Sequence, residues 1–217
     1  MKFQFNENNT FCISVEGSAR WERISKRFDY FGMRVTKWPA VCCEADLVDN
    51  FAENLSLGQR GCAQSHINIW RHILETNLDY ALILEDDAMF DFCWKNKLAT
   101  FDGAADGEWD AIFLNASEPL SPQDVWVCVT EQYLTAGYII SRRGVERLLW
   151  LYSGVEFAAS DWMTTRLQLM GGCYSYFPWL IIQEGLDTSI GSHLEEDHLK
   201  VINCLDAINY SAESNYV

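Results

Sequence analysis

Three consecutive acids, Glu85, Asp86 and Asp87, follow the uncharged run YALIL in the stretch DYALILEDDAMF. Adjacent carboxylates repel one another, and a divalent cation relieves the repulsion while taking oxygen ligands. Placed directly after a buried strand, the acids either solvate a turn or seat something positive. In open α/β sheets ligands bind beyond the carboxyl ends of strands, which is where these acids fall. A cation held there would retain a diphosphate that bare carboxylates repel. If the backbone stays extended, Glu85 and Asp87 share a face and Asp86 points away. Asp87 is then the expected direct metal ligand, with Glu85 beside it.

The elements that must position these acids are legible in the spacing. FCISV (11–15) suits a buried strand. Behind it, Trp21, Ile24, Phe28 and Phe31 recur at three- and four-residue steps, with Ser18 as a helix N-cap and Gly32 as a stop. RVTKWPAV reads as a second strand, and Cys62, His66, Ile69, Trp70 and Ile73 trace one face of a helix that leads into YALIL. Downstream, WDAIFLN, VWVCV and YLTAGYII read as strands, SRRGVERLLWLY and DWMTTRLQLM as helices, the last behind Ser160 as N-cap. Strand and helix alternate through the first hundred residues, which predicts an α/β fold with a mainly parallel sheet and helices on both faces. No linker or repeat divides the chain, so residues 1–217 are expected to form one domain, with a ligand-binding half over about 1–90 and a second half over about 91–217.

Composition narrows the partners. A formal net charge of −15 argues against nucleic acid, because phosphate binding needs a Lys/Arg-rich face. Six of the sixteen Lys/Arg nevertheless fall between Arg20 and Lys37, either a solvated helix face or a seat for an anion near its start. No apolar run approaches the length of a membrane span, and the opening MKFQFNENNTFC lacks the apolar core of a signal peptide. Eight cysteines without a C-x-x-C pair fit neither a zinc site nor a disulfide scaffold. Cys12 and Cys128 sit in apolar runs where a thiol acts as a small hydrophobe. The expectation is a cytoplasmic protein with reduced thiols.

GCAQSHINIWRHILETNLDYALILEDDA resembles the signature of glycosyltransferase family 25, the lipopolysaccharide-biosynthesis and procollagen-galactosyltransferase type. That family carries a G-C-x-x-S-H-x-x-x-W helix running into a strand that ends L-E-D-D. TAGYIISRRGVERLL, SDW and PWLIIQEGLDTSI resemble later family segments in the same order, so the likeness spans roughly residues 11 to 193. The chain departs from the pattern at SVEGSAR and at GQRGC.

The resemblance implies a GT-A fold and transfer of a sugar from a nucleotide-sugar, usually a UDP-sugar, to a hydroxyl of a glycan or glycoprotein, with Mn²⁺ or Mg²⁺ at the acids. It places Ser14, Val15 and Glu16 against the base and ribose and Arg20 at the diphosphate or base. Gln59 and Arg60 fall near the donor pocket, Glu85 at the metal through a bound water or at a sugar hydroxyl or the ribose, Asp86 toward the donor sugar or the protein, and Asp87 on the metal. His193 is the candidate that closes the metal shell, and His66 reads as a satisfied core histidine. For inversion a carboxylate must take the proton of the incoming hydroxyl. Asp161 is the first choice and Glu184 the reserve, with Trp162 able to stack on an acceptor sugar; a helix-start acid beside a core Trp is the alternative. Gln183, Asp187 and Asn115 are expected to line the acceptor side, with recognition from loops such as 88–108 and 185–198. Two other classes remain: a silent carbohydrate- or nucleotide-binding domain of the same fold, and a carboxylate-metal phosphohydrolase or nucleotidyltransferase, which would need a second ligand cluster.

Overall fold

A computed structural model describes residues 2–102, 108–185 and 194–217. From the N-terminus the chain forms β1 (Thr10–Ser14), α1 (Ala19–Phe31), β2 (Thr36–Pro39), α2 (Leu57–Glu75), β3 (Tyr80–Glu85), β4 (Ala88–Phe90) and α3 (Trp94–Leu98). Then follow β5 (Ala111–Phe113), β6 (Trp126–Cys128), β7 (Gly137–Ser141), α4 (Arg142–Leu151) and α5 (Ser160–Gln168). The chain continues with β8 (Cys173–Tyr176), β9 (Ile181–Gln183), α6 (Leu194–Asp206) and α7 (Ala212–Asn215).

Seven strands form one sheet in the order β2-β1-β3-β7-β5-β8-β6, and β4 pairs with β9 in a small second sheet. The α/β class holds, with helices on both faces, but the sheet is mixed. β1 runs parallel to β2 and β3, and β5 parallel to β8, whereas β7 is antiparallel to both β3 and β5 and β6 is antiparallel to β8. The strand-helix alternation that pointed to a parallel sheet covers only β1 to β3. Beyond it β7 inserts between β3 and β5 in the opposite direction.

The period-two rule of strands assigns the faces. Ala81 and Ile83 join Ile67 and Trp70 of α2, Val145 and Leu148 of α4, and Met163 and Leu167 of α5. Leu82 and Leu84 face the other way, onto Ile24 and Phe28 of α1 and Trp94 and Leu98 of α3. Both flanking helices begin with satisfied caps. The Ser18 hydroxyl accepts from Arg20 N, and Gly32, at φ 60°, ends α1 in the left-handed conformation glycine tolerates. Ser56 and Gln59 form a reciprocal capping box at the start of α2.

The segment 88–108, expected as a recognition loop, instead contributes β4 and α3 to the core. Phe90 and Trp94 are fully buried, and Phe90 exchanges backbone hydrogen bonds with Val217 at 2.8 and 3.0 Å. Cys128 is exposed, because β6 is an edge strand. Asn115 is fully buried and holds backbone, accepting from Ala136 N at 3.3 Å and donating to Ile181 O at 3.5 Å. It therefore cannot line an open acceptor surface.

Gly61 and Ser65 show why α2 lies where it does. A Cβ on Gly61 would stand 2.2 Å from Val41 O, so only glycine permits this approach. Ser65 Oγ then accepts from Val41 N at 2.9 Å and donates to Gly61 O at 2.7 Å. Gly61→Ala is expected to destabilise the fold by about 1–3 kcal/mol through overpacking. Urea unfolding checks this, and an unchanged midpoint would mean that the chain after β2 yields freely.

Candidate active site

β3 ends at Glu85 and the chain turns at Asp86 and Asp87 before β4 begins. This turn corrects the expectation that Glu85 and Asp87 share a face. Glu85 keeps the parity of Ala81 and Ile83 and points toward α2, where His66 Nε2 lies 3.2 Å from its Oε1. Asp86 points toward α1, as the parity of Leu82 and Leu84 dictates. Asp87 is carried to that side as well by the turn, so the two aspartates form the pair and Glu85 stands apart.

Arg20, in the first turn of α1, binds both aspartates: its Nη2 is 2.7 Å from Asp86 Oδ1 and 3.2 Å from Asp87 Oδ2. Ser14, the last residue of β1, donates to Asp86 Oδ2 at 2.8 Å. Its neighbours do less: Val15 is half-buried, and exposed Glu16 lies 3.8 Å from Lys37 Nζ. Gln183 Nε2 approaches Asp87 Oδ2 at 3.4 Å, while the Glu184 amide donates to Asp87 O at 2.8 Å. Among the described residues, Asp87 Oδ1 is buried without a hydrogen-bond partner. Burial first, then the charge of Glu85, outweighs Arg20 and pushes the Asp87 carboxyl up to about 7. Burial also opposes the Arg20 charge, but Asp87 and Asp86 more than restore it and raise its pKa.

Glu184 is gripped by two guanidinium groups, Arg23 Nε at 2.9 Å and Arg27 Nη2 at 2.8 Å. So engaged, the carboxylate ties α1 to the end of β9. The basic cluster read from the sequence is thus partly absorbed by internal acids. Arg60 is also committed, donating to Glu53 O at 2.9 Å, and Gln59 Oε1 accepts from Ser56 N at 2.9 Å.

On the α2 side two hydrogen-bonded chains converge on Glu85 Oε1. Trp70 Nε1, which can only donate, bonds Tyr138 Oη at 2.9 Å. The Tyr138 hydroxyl proton then goes to His66 Nδ1, also 2.9 Å away, which leaves the Nε2–H of His66 for Glu85. From the other direction Thr135 Oγ1 donates to Glu85 Oε1 at 2.7 Å. Ser160 Oγ lies 3.1 Å from Thr135 Oγ1 and 3.6 Å from Cys62 Sγ, so its proton supports Thr135 and the thiol supports Ser160. Burial works against ionised Glu85, yet hydrogen bonds from His66 and Thr135 and the charge of Arg20 hold its pKa below the ordinary value. His66 is indeed fully buried and satisfied, but its partner is the first acid of the triplet. Ser160 spends its hydroxyl on this chain instead of capping α5, whose N-cap is Ala159.

Glu85, Gln59, Cys62, Thr135, Ser160, Asp161 and Gln183 line a cavity of about 110 Å³. Asp161 stands in the first turn of α5 and accepts from Trp162 N at 2.8 Å; burial, chiefly, raises its pKa. Trp162 is 58% exposed, not core, and meets Tyr133 edge-on at 5.6 Å between ring centres. The structure thus brings Glu85, Asp161, Gln59 and Gln183 to one cavity and ties Ser14, Arg20, Asp86 and Asp87 into a buried cluster that Gln183 approaches through Asp87. His193 and Asp187 lie outside the described residues.

Residues 44–124 match the model of glycosyltransferase family 25 (LPS biosynthesis protein). A glycosyltransferase 25 family member from Aedes aegypti is 32% identical over 174 residues, covering 68% of this chain and 29% of that protein. The chain belongs to glycosyltransferase family 25. Procollagen galactosyltransferase 1-B of Xenopus laevis is 37% identical over 106 residues, 44% of this chain and 17% of that protein. The chain spans less than a third of the length of these curated relatives. Among solved structures it is similar to a glycosyltransferase involved in glycosylation of the major capsid of PBCV-1, with TM-score 0.39 and 10% identity over 89% of this chain and 98% of that one. The family-model match takes in α2, β3 and the acid triplet, the elements that build the site.

The residues least visible in the sequence are Thr135 and Tyr138, which reach Glu85 and His66 only because β7 lies antiparallel beside β3. Tyr138→Phe should strip Trp70 of its acceptor and His66 of its donor, costing about 1–3 kcal/mol for buried polar groups left unpaired. Denaturant unfolding reads this directly; a stability equal to that of the parent would show that the Trp70–Tyr138–His66 chain carries no weight.

Proposed function

We propose that this family 25 chain is a metal-dependent, inverting glycosyltransferase that moves a hexose from a UDP-sugar to a hydroxyl of a glycan or glycoprotein acceptor. The observation that carries the reading is the Asp86–Asp87 pair at the carboxyl end of β3, with the buried Oδ1 of Asp87 lacking a hydrogen-bond partner among the described residues. An orphaned carboxylate oxygen beside a second carboxylate suits a hard divalent cation. Asp87 and Asp86 would hold Mn²⁺ or Mg²⁺, with His193 completing the set. When bound, the ion supplies positive charge that offsets the diphosphate of the leaving group.

The chain's own groups supply the rest. Arg20, already seated between the two aspartates, turns its guanidinium toward the diphosphate when the donor arrives. Ser14 fixes Asp86, and the backbone at Val15 and Glu16 borders the base. Glu85, kept ionised by His66 and Thr135, accepts a hydroxyl of the donor, and Gln183 aligns Asp87. Asp161 takes the proton from the acceptor hydroxyl as the new bond forms at the anomeric carbon; the bond to the phosphate oxygen breaks and UDP leaves with its electron pair. Exposed Trp162 and its neighbour Tyr133 offer a face on which the acceptor stacks. Because relatives are named procollagen galactosyltransferases, UDP-galactose is the first donor to test. The reading extends to a cytoplasmic setting, where thiols stay reduced.

Asp87→Asn is expected to remove Mn²⁺-dependent release of UDP, and Asp161→Asn to lower kcat by about 10²–10⁴-fold while donor binding persists. Turnover in Asp87→Asn equal to the parent's would sink the metal assignment. Because Asp161 must be ionised to act and burial raises its pKa, kcat should fall on acidification at a higher pH than for an ordinary carboxylate. A second reading, a silent binding domain, draws on the Arg20 bridge, which itself neutralises the aspartates. Donor-induced thermal stabilisation with no UDP release in the parent chain would favour it.

A further inference from the structure

We propose that Cys62, His66 and Glu85 form a site for a thiophilic divalent cation of the Zn²⁺ class, set apart from the hard-cation seat at Asp86 and Asp87. One donor atom from each, a sulfur, an imidazole nitrogen and a carboxylate oxygen, lie within 4.8 Å of one another. Zn²⁺ bonds of about 2.0–2.3 Å around a tetrahedron space their donors by roughly 3.5 Å, so closing this set needs side-chain adjustments and no movement of elements. Cys62 and His66 are four residues apart on α2 and therefore share a face, while Glu85 is delivered to that face by β3. The fourth position opens onto the cavity shared with Gln59 and Asp161.

The donor set selects the metal. A thiolate with an imidazole prefers Zn²⁺ over Mn²⁺ or Mg²⁺, whereas the all-oxygen pair at Asp86 and Asp87 has the opposite preference. Binding releases the Cys62 thiol proton to solvent. It also moves the His66 proton from Nε2 to Nδ1, where Tyr138 Oη at 2.9 Å becomes its acceptor, the outer contact that metal-bound histidines require. The Tyr138 proton must find another acceptor and Ser160 loses the thiol as a donor, and both oppose binding.

The site has a functional consequence, which rests on the transferase reading above. Glu85 cannot serve a sugar hydroxyl and a thiophilic cation together, so Zn²⁺ would inhibit transfer even with Mn²⁺ in excess. Binding itself does not depend on that reading and is tested separately. With exposed Cys42, Cys43, Cys93 and Cys128 replaced by Ser, Co²⁺ titration should give thiolate-to-cobalt charge-transfer absorption that saturates at one equivalent and is displaced by Zn²⁺, while any Co²⁺ at Asp86 and Asp87 adds none. Cys62→Ser and Cys62→Ala, both small changes, should each abolish the band and weaken Zn²⁺ binding by more than about 100-fold, beyond the loss typical of an outer contact. Absence of the band in the parent background, or its persistence in either Cys62 variant with native far-UV circular dichroism, would overturn the site. If the band forms but no sugar is ever transferred, the transferase reading fails and the metal site stands.

Discussion

Everything around β3 answers one electrostatic demand: three carboxylates in sequence must be kept within a folded core. Burying an isolated ionised carboxylate costs on the order of several kcal/mol, so each acid has to find a partner or give up its charge. The chain solves this by splitting the triplet. Glu85 goes to His66 and Thr135 on the α2 side, Asp86 goes to Arg20 and Ser14 on the α1 side, and Asp87, among the described residues, receives part of Arg20 and the distant amide of Gln183. Asp87 is left as the least compensated of the three, which is why burial and Glu85 push its pKa upward. A site built to receive a cation needs such a residual deficit; a fully satisfied triplet would have nothing to gain from one.

The mixed sheet makes the split possible. β1 lies parallel to β3 with Ile13 opposite Glu85, so Ser14 ends beside the acids. β7 lies antiparallel on the other side, and the strand-like contact between Glu85 N and Ala136 O places Thr135 level with the Glu85 carboxylate. An all-parallel neighbour would end where β3 ends, with its own loop leaving the same edge. An antiparallel one begins there, so its preceding residues feed side chains into the site. The mixture of directions is therefore part of how the acids are served from both flanks.

How much of this was legible in the sequence depended on the range of the interaction. Local chemistry read correctly: Ser18 caps α1, Gly32 ends it, and the i, i+4 face of α2 buries His66, Ile69, Trp70 and Ile73. The face assignment of Glu85 followed strand parity, but parity could not say that β3 stops at Glu85, and the turn there moved Asp87 to the side of Asp86. Long-range partners were beyond reach. Glu184 reads as a spare base until Arg23 and Arg27, about 160 residues away, are seen to hold it. Ser160 has the right identity for a cap, and only the fold shows its hydroxyl drawn into the Glu85 chain. Cys128 looked buried because its neighbours are apolar, and an edge strand exposed it.

The same partition gives a reason for the adjacent glycine and cysteine in the second turn of α2. Gly61 allows the helix to press on Val41 O, and Ser65 secures that approach by bonding Val41 N and Gly61 O together. With the helix fixed at this height, Cys62 and His66 arrive level with the end of β3, one through Ser160 and Thr135 and the other directly. A helix held one turn further out would still bury Ile67 and Trp70 against the sheet, yet Glu85 would lose the Nε2–H that favours its charge. The G-C-x-x-S-H spacing thus acts as a ruler: the glycine and serine set the distance at which the histidine meets Glu85 and the cysteine meets Ser160.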